Sequence, residues 1–204
     1  MSIAIARAVD ADISAEPAWD VALLFPPQGA WSEADYLALE TNRLVEFSHG
    51  RIEVLPMPSE SHQSIVALLH SIFFAYAQRT GGKVLFAPFR LRLWEGKIRE
   101  PDLLFLASAD DPRRQEMYWA GADLVIEVVS PDDPKRDLVL KRSEYARAGI
   151  PEYWIVDPQS ETVLVLRLAE DQYEPYGEFG RGEIAVSATL GGLTVPVDAL
   201  FVDG

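Results

Sequence analysis

Two stretches, REPDLLFL at residues 99–106 and DLVIEVVSPDD at residues 123–133, decide how this chain folds. Each contains an apolar run of strand length. Each carries one acid where a strand core is ordinarily apolar: Asp102 in the first, Glu127 in the second. A carboxylate among Leu, Val, Ile and Phe is costly unless something pairs with it. The two runs therefore predict neighbouring strands that bring a pair of acids, 127 − 102 = 25 positions apart, into one pocket near a sheet edge or opening.

The sequence around them alternates between the two regular periods. SEADYLALE, from Ser32, predicts a short helix with Ser32 as its N-cap. LVEFSHGRIEVLPM alternates about His49-Gly50 and predicts a hairpin. SHQSIVALLHSIFFAYAQRTGG is the clearest helix, with Ile65, Leu68, Leu69, Ile72, Phe73 and Tyr76 at helical spacing and Gly81-Gly82 to end it. KVLFAPFRLRLWEG predicts one or two strands, with Arg90 and Arg92 on one alternating face. After DLVIEVVS comes a turn cluster, PDDPKRD, then a helix over DLVLKRSEYARAG. PEYWIVDPQSETVLVLRL predicts two strands joined at Asp157-Pro158-Gln159-Ser160, and the remainder, from Tyr173 to Val202, short strands with Gly turns. The order fits an α/β (α+β) domain with a central mixed sheet flanked by helices. Residues 1–30 lack clear periodicity and predict a partly ordered extension; residues 31–204 predict a single domain.

Composition narrows the function. The 204 residues contain no cysteine, which removes disulfides and thiolate metal sites and makes a reducing cytoplasm the expected location. No apolar run is long enough to predict a membrane helix, and the N-terminus lacks the pattern of a signal peptide. A net charge of −14 opposes non-specific coating of nucleic acid. His49, His62 and His70 fall in no HExxH or zinc-like spacing, and no P-loop, GxGxxG or G-x-S-x-G occurs. The basic strips are Arg90/Arg92, Arg113/Arg114 and Lys135/Arg136 with Lys141/Arg142. They can line a cleft for a phosphate backbone, or stand as solvated faces.

The acids suit a hard cation. Mg²⁺ takes carboxylate and carbonyl oxygens. Asp102 and Glu127 can hold one such ion, with Glu46 as a further ligand and the carbonyl of Val128 or Val129 completing the set. A metal so held polarises a phosphate and lowers the pKa of a bound water. Lys141 can position that water or stabilise phosphate charge. Asp137, Lys141 and Tyr145 follow at i, i+4 and i+8 on one helix face. Glu46 also admits a reading as the partner of an arginine such as Arg51, and Tyr145 one as core packing. His62 near the start of the long helix can face the site or serve the helix terminus.

Four pieces occur in order: Pro101-Asp102; EVVSP at residues 127–131; Lys141 with Tyr145 four residues on; and GIPEYWIVD at residues 149–157. EFSHG at residues 46–50 and PMPSESH at residues 56–62 precede them. This ordered set resembles the Uma-two family, whose members are described as restriction endonucleases, over roughly residues 32–202. The resemblance implies a restriction-endonuclease-like core of the PD-(D/E)xK nuclease-like superfamily. It also implies an endonuclease that hydrolyses DNA with Mg²⁺, or Mn²⁺ in its place, and a homodimer. Asp102 matches the family's aspartate after proline, Glu127 the acid of its second strand, and Glu46 its upstream glutamate. Val129 stands where the superfamily's lysine belongs, and Lys141 is the matching lysine displaced onto the next helix. Two other outcomes stay open on the residues: a non-catalytic binding module on the same fold, and a hydrolase of a smaller phosphate ester.

Overall fold

The computed structural model of the protein describes residues 25–41, 43–131 and 133–202. The expectation of an extension over residues 1–30 lies, for residues 1–24, outside the described residues.

Local chemistry fixes the elements before the site. Helix α1 (Glu33–Leu37) opens with Ser32 and Asp35 exchanging side-chain-to-backbone hydrogen bonds, a capping box. Strands β1 (Val45–Ser48) and β2 (Arg51–Val54) pair antiparallel about His49-Gly50. Both turn residues have positive φ, 46° and 80°, as a hairpin turn of type I′ requires. Helix α2 (Glu60–Thr80) starts at the N-cap Ser59 and stops at Gly81, whose φ of 81° is left-handed. Its buried stripe of Ile65, Leu69, Phe73 and Tyr76 follows the helical period.

Among the described residues, six further strands and two further helices come after α2 and a first group of four strands. That group is β3 (Lys83–Phe86), β4 (Leu91–Trp94), β5 (Lys97–Arg99) and β6 (Leu103–Leu106), with β7 (Leu124–Val128) next. A π-helical segment (Arg136–Lys141) then runs into α3 (Arg142–Arg147). The rest is β8 (Glu152–Asp157), β9 (Thr162–Ala169), β10 (Gln172–Phe179), β11 (Ile184–Val186), β12 (Thr194–Pro196) and α4 (Val197–Leu200). A six-stranded mixed sheet, ordered β10-β9-β8-β7-β6-β3, forms the centre, with β7 and β8 its parallel pair. A four-stranded sheet, β2-β1-β5-β4, lies beside it, and β11 and β12 form a small third sheet. The expected central mixed sheet flanked by helices is this six-stranded sheet.

The stretch 99–106 departs from its sequence reading in one instructive way. It is a crossover rather than one strand: Arg99 ends β5 in one sheet and Leu103 begins β6 in the other. Pro101, which lacks an N–H for a ladder, lies in the three-residue passage between them. Asp102 therefore stands at the junction of two sheets, immediately before a strand, and Glu127 stands inside one. In β7, Leu124, Ile126 and Val128 enter the core against α2, while Val125 and Val129 enter the core that holds Tyr145 and Ala146 of α3. Glu127, on the alternation of Val125, faces α3. The tail departs too: β10 is an eight-residue edge strand of the main sheet, whereas only β11 and β12 are short.

One buried acid serves the fold alone. Glu152, fully buried in β8, accepts hydrogen bonds from Trp154 Nε1 (2.6 Å), Ser187 Oγ (2.8 Å), the N–H groups of Ala188 (3.0 Å) and Thr189 (2.8 Å), and Thr189 Oγ1 (2.5 Å). It seats the 187–189 turn on the sheet. Replacing Glu152 with Ala orphans these donors and is expected to lower the unfolding free energy by about 3 kcal/mol. Denaturant titration checks this: the midpoint falls with the slope unchanged.

Candidate active site

The register between β6 and β7 pairs Leu103 with Ile126, so one further step sets Asp102 across from Glu127. The backbone holds the first acid: the Val128 N–H donates to Asp102 Oδ2 at 2.7 Å. His62, in the first turn of α2, brings Nε2 to 3.2 Å from the same oxygen. Burial works against a charge on His62, but the bond and charge of Asp102 outweigh it and raise its pKa. A strand residue turns its N–H and C=O to the same side. The carbonyl of Val128 therefore lies on the side where Asp102 sits.

Glu127 is buried, 2% exposed, and bracketed from α3 and the turn before it. Lys141 Nζ lies 2.8 Å from Oε2, and the Tyr145 hydroxyl donates to Oε1 at 2.5 Å. Asp137, also buried, lies with Oδ1 3.0 Å from the same ammonium. The Tyr153 hydroxyl donates to the Asp137 carbonyl and pins the segment that carries both residues. The predicted i, i+4, i+8 face is real, although its first turns are π-helical, a departure common at functional sites.

Glu46 stands one step away, on β1 and 2% exposed. Its Oε2 accepts from Arg99 and from Arg136. Arg99 also bonds Glu144 at 2.8 Å, and Lys97 closes on Glu144 at 2.7 Å. Arg136 reaches on to Glu53 at 2.6 Å. Arginines do pair with Glu46, but they are Arg99 and Arg136 rather than the sequence-suggested Arg51. Burial alone pushes the Glu46 carboxyl up; Lys141, Arg99 and Arg136 together overcome this and hold it at about 2. The charge of Lys141 acts on Glu46, so Glu46 lies within the field of the site.

The balance at Glu127 runs the other way. Burial, with Asp102 and Asp137 nearby, pushes its carboxyl up to about 8 against the pull of Lys141. Burial likewise raises Asp137. Lys141 is held protonated, its desolvation outweighed by Glu127, Glu46, Asp137 and Asp102. Four carboxyl groups thus act on one ammonium, Glu127 and Asp137 in direct contact and Glu46 and Asp102 through their charge. Asp102 and Glu127 offer only oxygen donors. Among the described residues no three His, Asp or Glu side chains converge as a metal-binding group. Two carboxylates and a carbonyl are nonetheless a sufficient protein share for Mg²⁺, which is commonly held by one or two carboxylates and retains its waters. The residues fit such an ion.

The sequence model described as "Uma2: Putative restriction endonuclease" matches residues 33–198. This chain belongs to the Uma2 family. A crystal structure from Anabaena variabilis ATCC 29413, described as a putative nuclease belonging to DUF820, is similar at 22% identity, with a TM-score of 0.68 over 84% of this chain and 97% of that one. At that identity the likeness establishes the fold. No curated protein matches the sequence.

Within this Uma2 member the structure brings Asp102, Glu127, Val128 and Lys141 together and sets Glu46 beside them. Tyr145, which also admitted a packing role, touches Glu127 directly. His62 faces Asp102. The residues that sequence reasoning passed over are Lys97 and Arg99, buried in β5, whose only sequence signal is charge inside a short strand, and Glu144, half-buried on α3. The basic strips do not gather as a free cleft. Arg90 donates to the carbonyls of Leu37 and Leu39; Arg92 pairs with Glu33, Arg113 with Asp111 and Asp123, and Arg142 with the Tyr173 carbonyl.

A raised carboxyl pKa stabilises the fold only while the carboxyl is protonated. The contribution of Glu127 is therefore complete below its ordinary 4.5 and lost as pH rises through about 8. Melting curves of wild type and Glu127→Gln across that window are expected to show the steeper loss of stability with pH in wild type. Parallel curves would contradict the assignment.

Proposed function

We propose that this protein is an endonuclease that hydrolyses DNA phosphodiester bonds with Mg²⁺, for which Mn²⁺ substitutes. The observation that carries this reading is the surplus of acids at Glu127: Asp102, Glu127 and Asp137 gather around a single ammonium, an arrangement that a dication relieves. Asp102, Glu127 and the Val128 carbonyl are the groups that hold the ion. When bound, it polarises a phosphate and makes a water nucleophilic near neutral pH. The protein's own residues supply the rest. The Val128 N–H and His62 orient Asp102, and Tyr145 orients Glu127. Lys141, once a cation shares Glu127, is free to set its ammonium against phosphate charge. Glu46 supports the site through Arg99 and Arg136, which fix β1 and β5 against the helical segment. A cytoplasmic homodimer fits this reading.

One observation favours a smaller phosphate ester as substrate. Arg90, Arg92, Arg113 and Arg136 all have partners within the chain, and the net charge is −14, so these basic strips are not free to guide a duplex.

Calorimetric titration of Mg²⁺ and Mn²⁺ tests the site. Wild type is expected to bind, and Asp102→Ala and Glu127→Ala to lose binding while remaining folded by circular dichroism. Equal titrations in all three proteins would contradict the proposal. Lys141→Ala is expected to retain the metal and to lower single-turnover cleavage about 10²- to 10³-fold, the usual effect of removing one group that stabilises developing charge.

A further inference from the structure

Four strands end the two larger sheets, and three of them are closed by different devices. At β2, the Gln28 side-chain amide donates to the Ile52 carbonyl and accepts from its N–H, as a strand residue does. At β4, the chain at Trp119 exchanges backbone bonds with Arg90 and Arg92. At β10, Pro175 removes a donor and a register shift between Pro175 and Gly177 breaks the edge. The fourth, β3, has no such guard among the described residues. Lys83, Leu85 and Ala87 face β6, so Val84 and Phe86 turn their N–H and C=O groups outward, and no described backbone group meets them. Both faces beside this edge are prepared for contact. On one, Phe86 (48% exposed) and Phe74 (50% exposed) flank His70, with ring centroids 4.6 and 5.9 Å from it. On the other, Leu85 and Phe89 lie in a groove of about 570 Å³ that Lys83, Arg114, Asp110 and Glu116 also line.

We propose that β3 pairs antiparallel with β3 of a second copy of this chain about a two-fold axis through Leu85. The match is internal to the strand. With Leu85 opposite Leu85 of the second copy, Val84 of each chain exchanges both hydrogen bonds with Phe86 of the other, so every outward group of the edge is used. The two six-stranded sheets become one of twelve, and the Phe74 and Phe86 rings of both copies are covered. Charge permits the approach at this place. A chain of −14 repels its copy, but the groove carries both signs, so a two-fold axis can set the Lys83 and Arg114 of one copy towards the Asp110 and Glu116 of the other. The inference is independent of the proposed chemistry.

The absence of cysteine makes the test direct. Residues facing each other across such an axis in a non-hydrogen-bonded pair have Cα atoms about 4.5 Å apart, within disulfide reach. Leu85→Cys is expected to cross-link to itself under mild oxidation at least about tenfold faster than Tyr176→Cys, an exposed position on the guarded β10 edge, because only the former is held at high effective concentration. Wild type is expected to sediment at twice 22.7 kDa, and Phe86→Glu as the monomer at 22.7 kDa, with an unchanged circular dichroism spectrum. A wild type that stays monomeric, or cysteine variants that cross-link at equal rates, overturns the proposal and assigns the edge to another occupant, an extended peptide or residues 1–24. A dimer that survives Phe86→Glu also overturns it.

Discussion

The structure is organised around a buried carboxylate. Glu127 occupies the middle of a sheet, where an unpaired charge is costly. Everything near it is arranged to meet that cost: an ammonium on Oε2, a phenol on Oε1, and a π-helical segment pinned by Tyr153 so that Lys141 arrives from the side. A lysine on the strand itself would be aimed by the pleat. A lysine on a helix has a long flexible stem, and here Asp137 and Glu127 together fix where its head lies. The compensation is incomplete: burial first, and then Asp102 and Asp137, hold the Glu127 carboxyl up against the pull of one lysine. The dication of the proposed function would relieve this concentration of acids.

A second charged assembly shields the first. Lys97, Glu144, Arg99, Glu46, Arg136 and Glu53 alternate in sign from the interior to the surface. They join β5, β1 and β2 to α3 and the π-helical segment, across the junction where Asp102 lies. Breaking one link leaves a buried charge unpaired, so such chains resist partial substitution. Arginine suits this work because its planar fork serves two carboxylates at once, as Arg99 does with Glu46 and Glu144. The same commitment takes Arg99 and Arg136 out of the positive surface of an overall acidic protein.

Much of this was legible in the sequence, for reasons that differ from residue to residue. Glu127 was conspicuous because period and polarity conflict at its position. The His49-Gly50 turn and the Ser32 and Ser59 caps were readable because their chemistry is local. The lysine was found by its place in an ordered set of motifs. Three features were hidden. The break at Pro101 splits one apparent strand between two sheets, and sheet membership is decided by pairing partners that no local window contains. Arg99 and Glu144 come together across 45 positions, a long-range contact without a spacing rule. The π-helical widening of residues 136–141 follows from what those side chains must reach rather than from their propensities.

The central claim is that the gathered carboxylates exist to hold a cation. Anomalous diffraction from crystals grown with Mn²⁺ puts it to the most direct test. The expected result is one strong peak bounded by the carboxylates of Asp102 and Glu127 and the carbonyl of Val128, with Lys141 shifted from Glu127. A map without a peak there at saturating Mn²⁺, with Lys141 still seated on Glu127, would contradict the account. Glu127 and Lys141 would then be a structural ion pair.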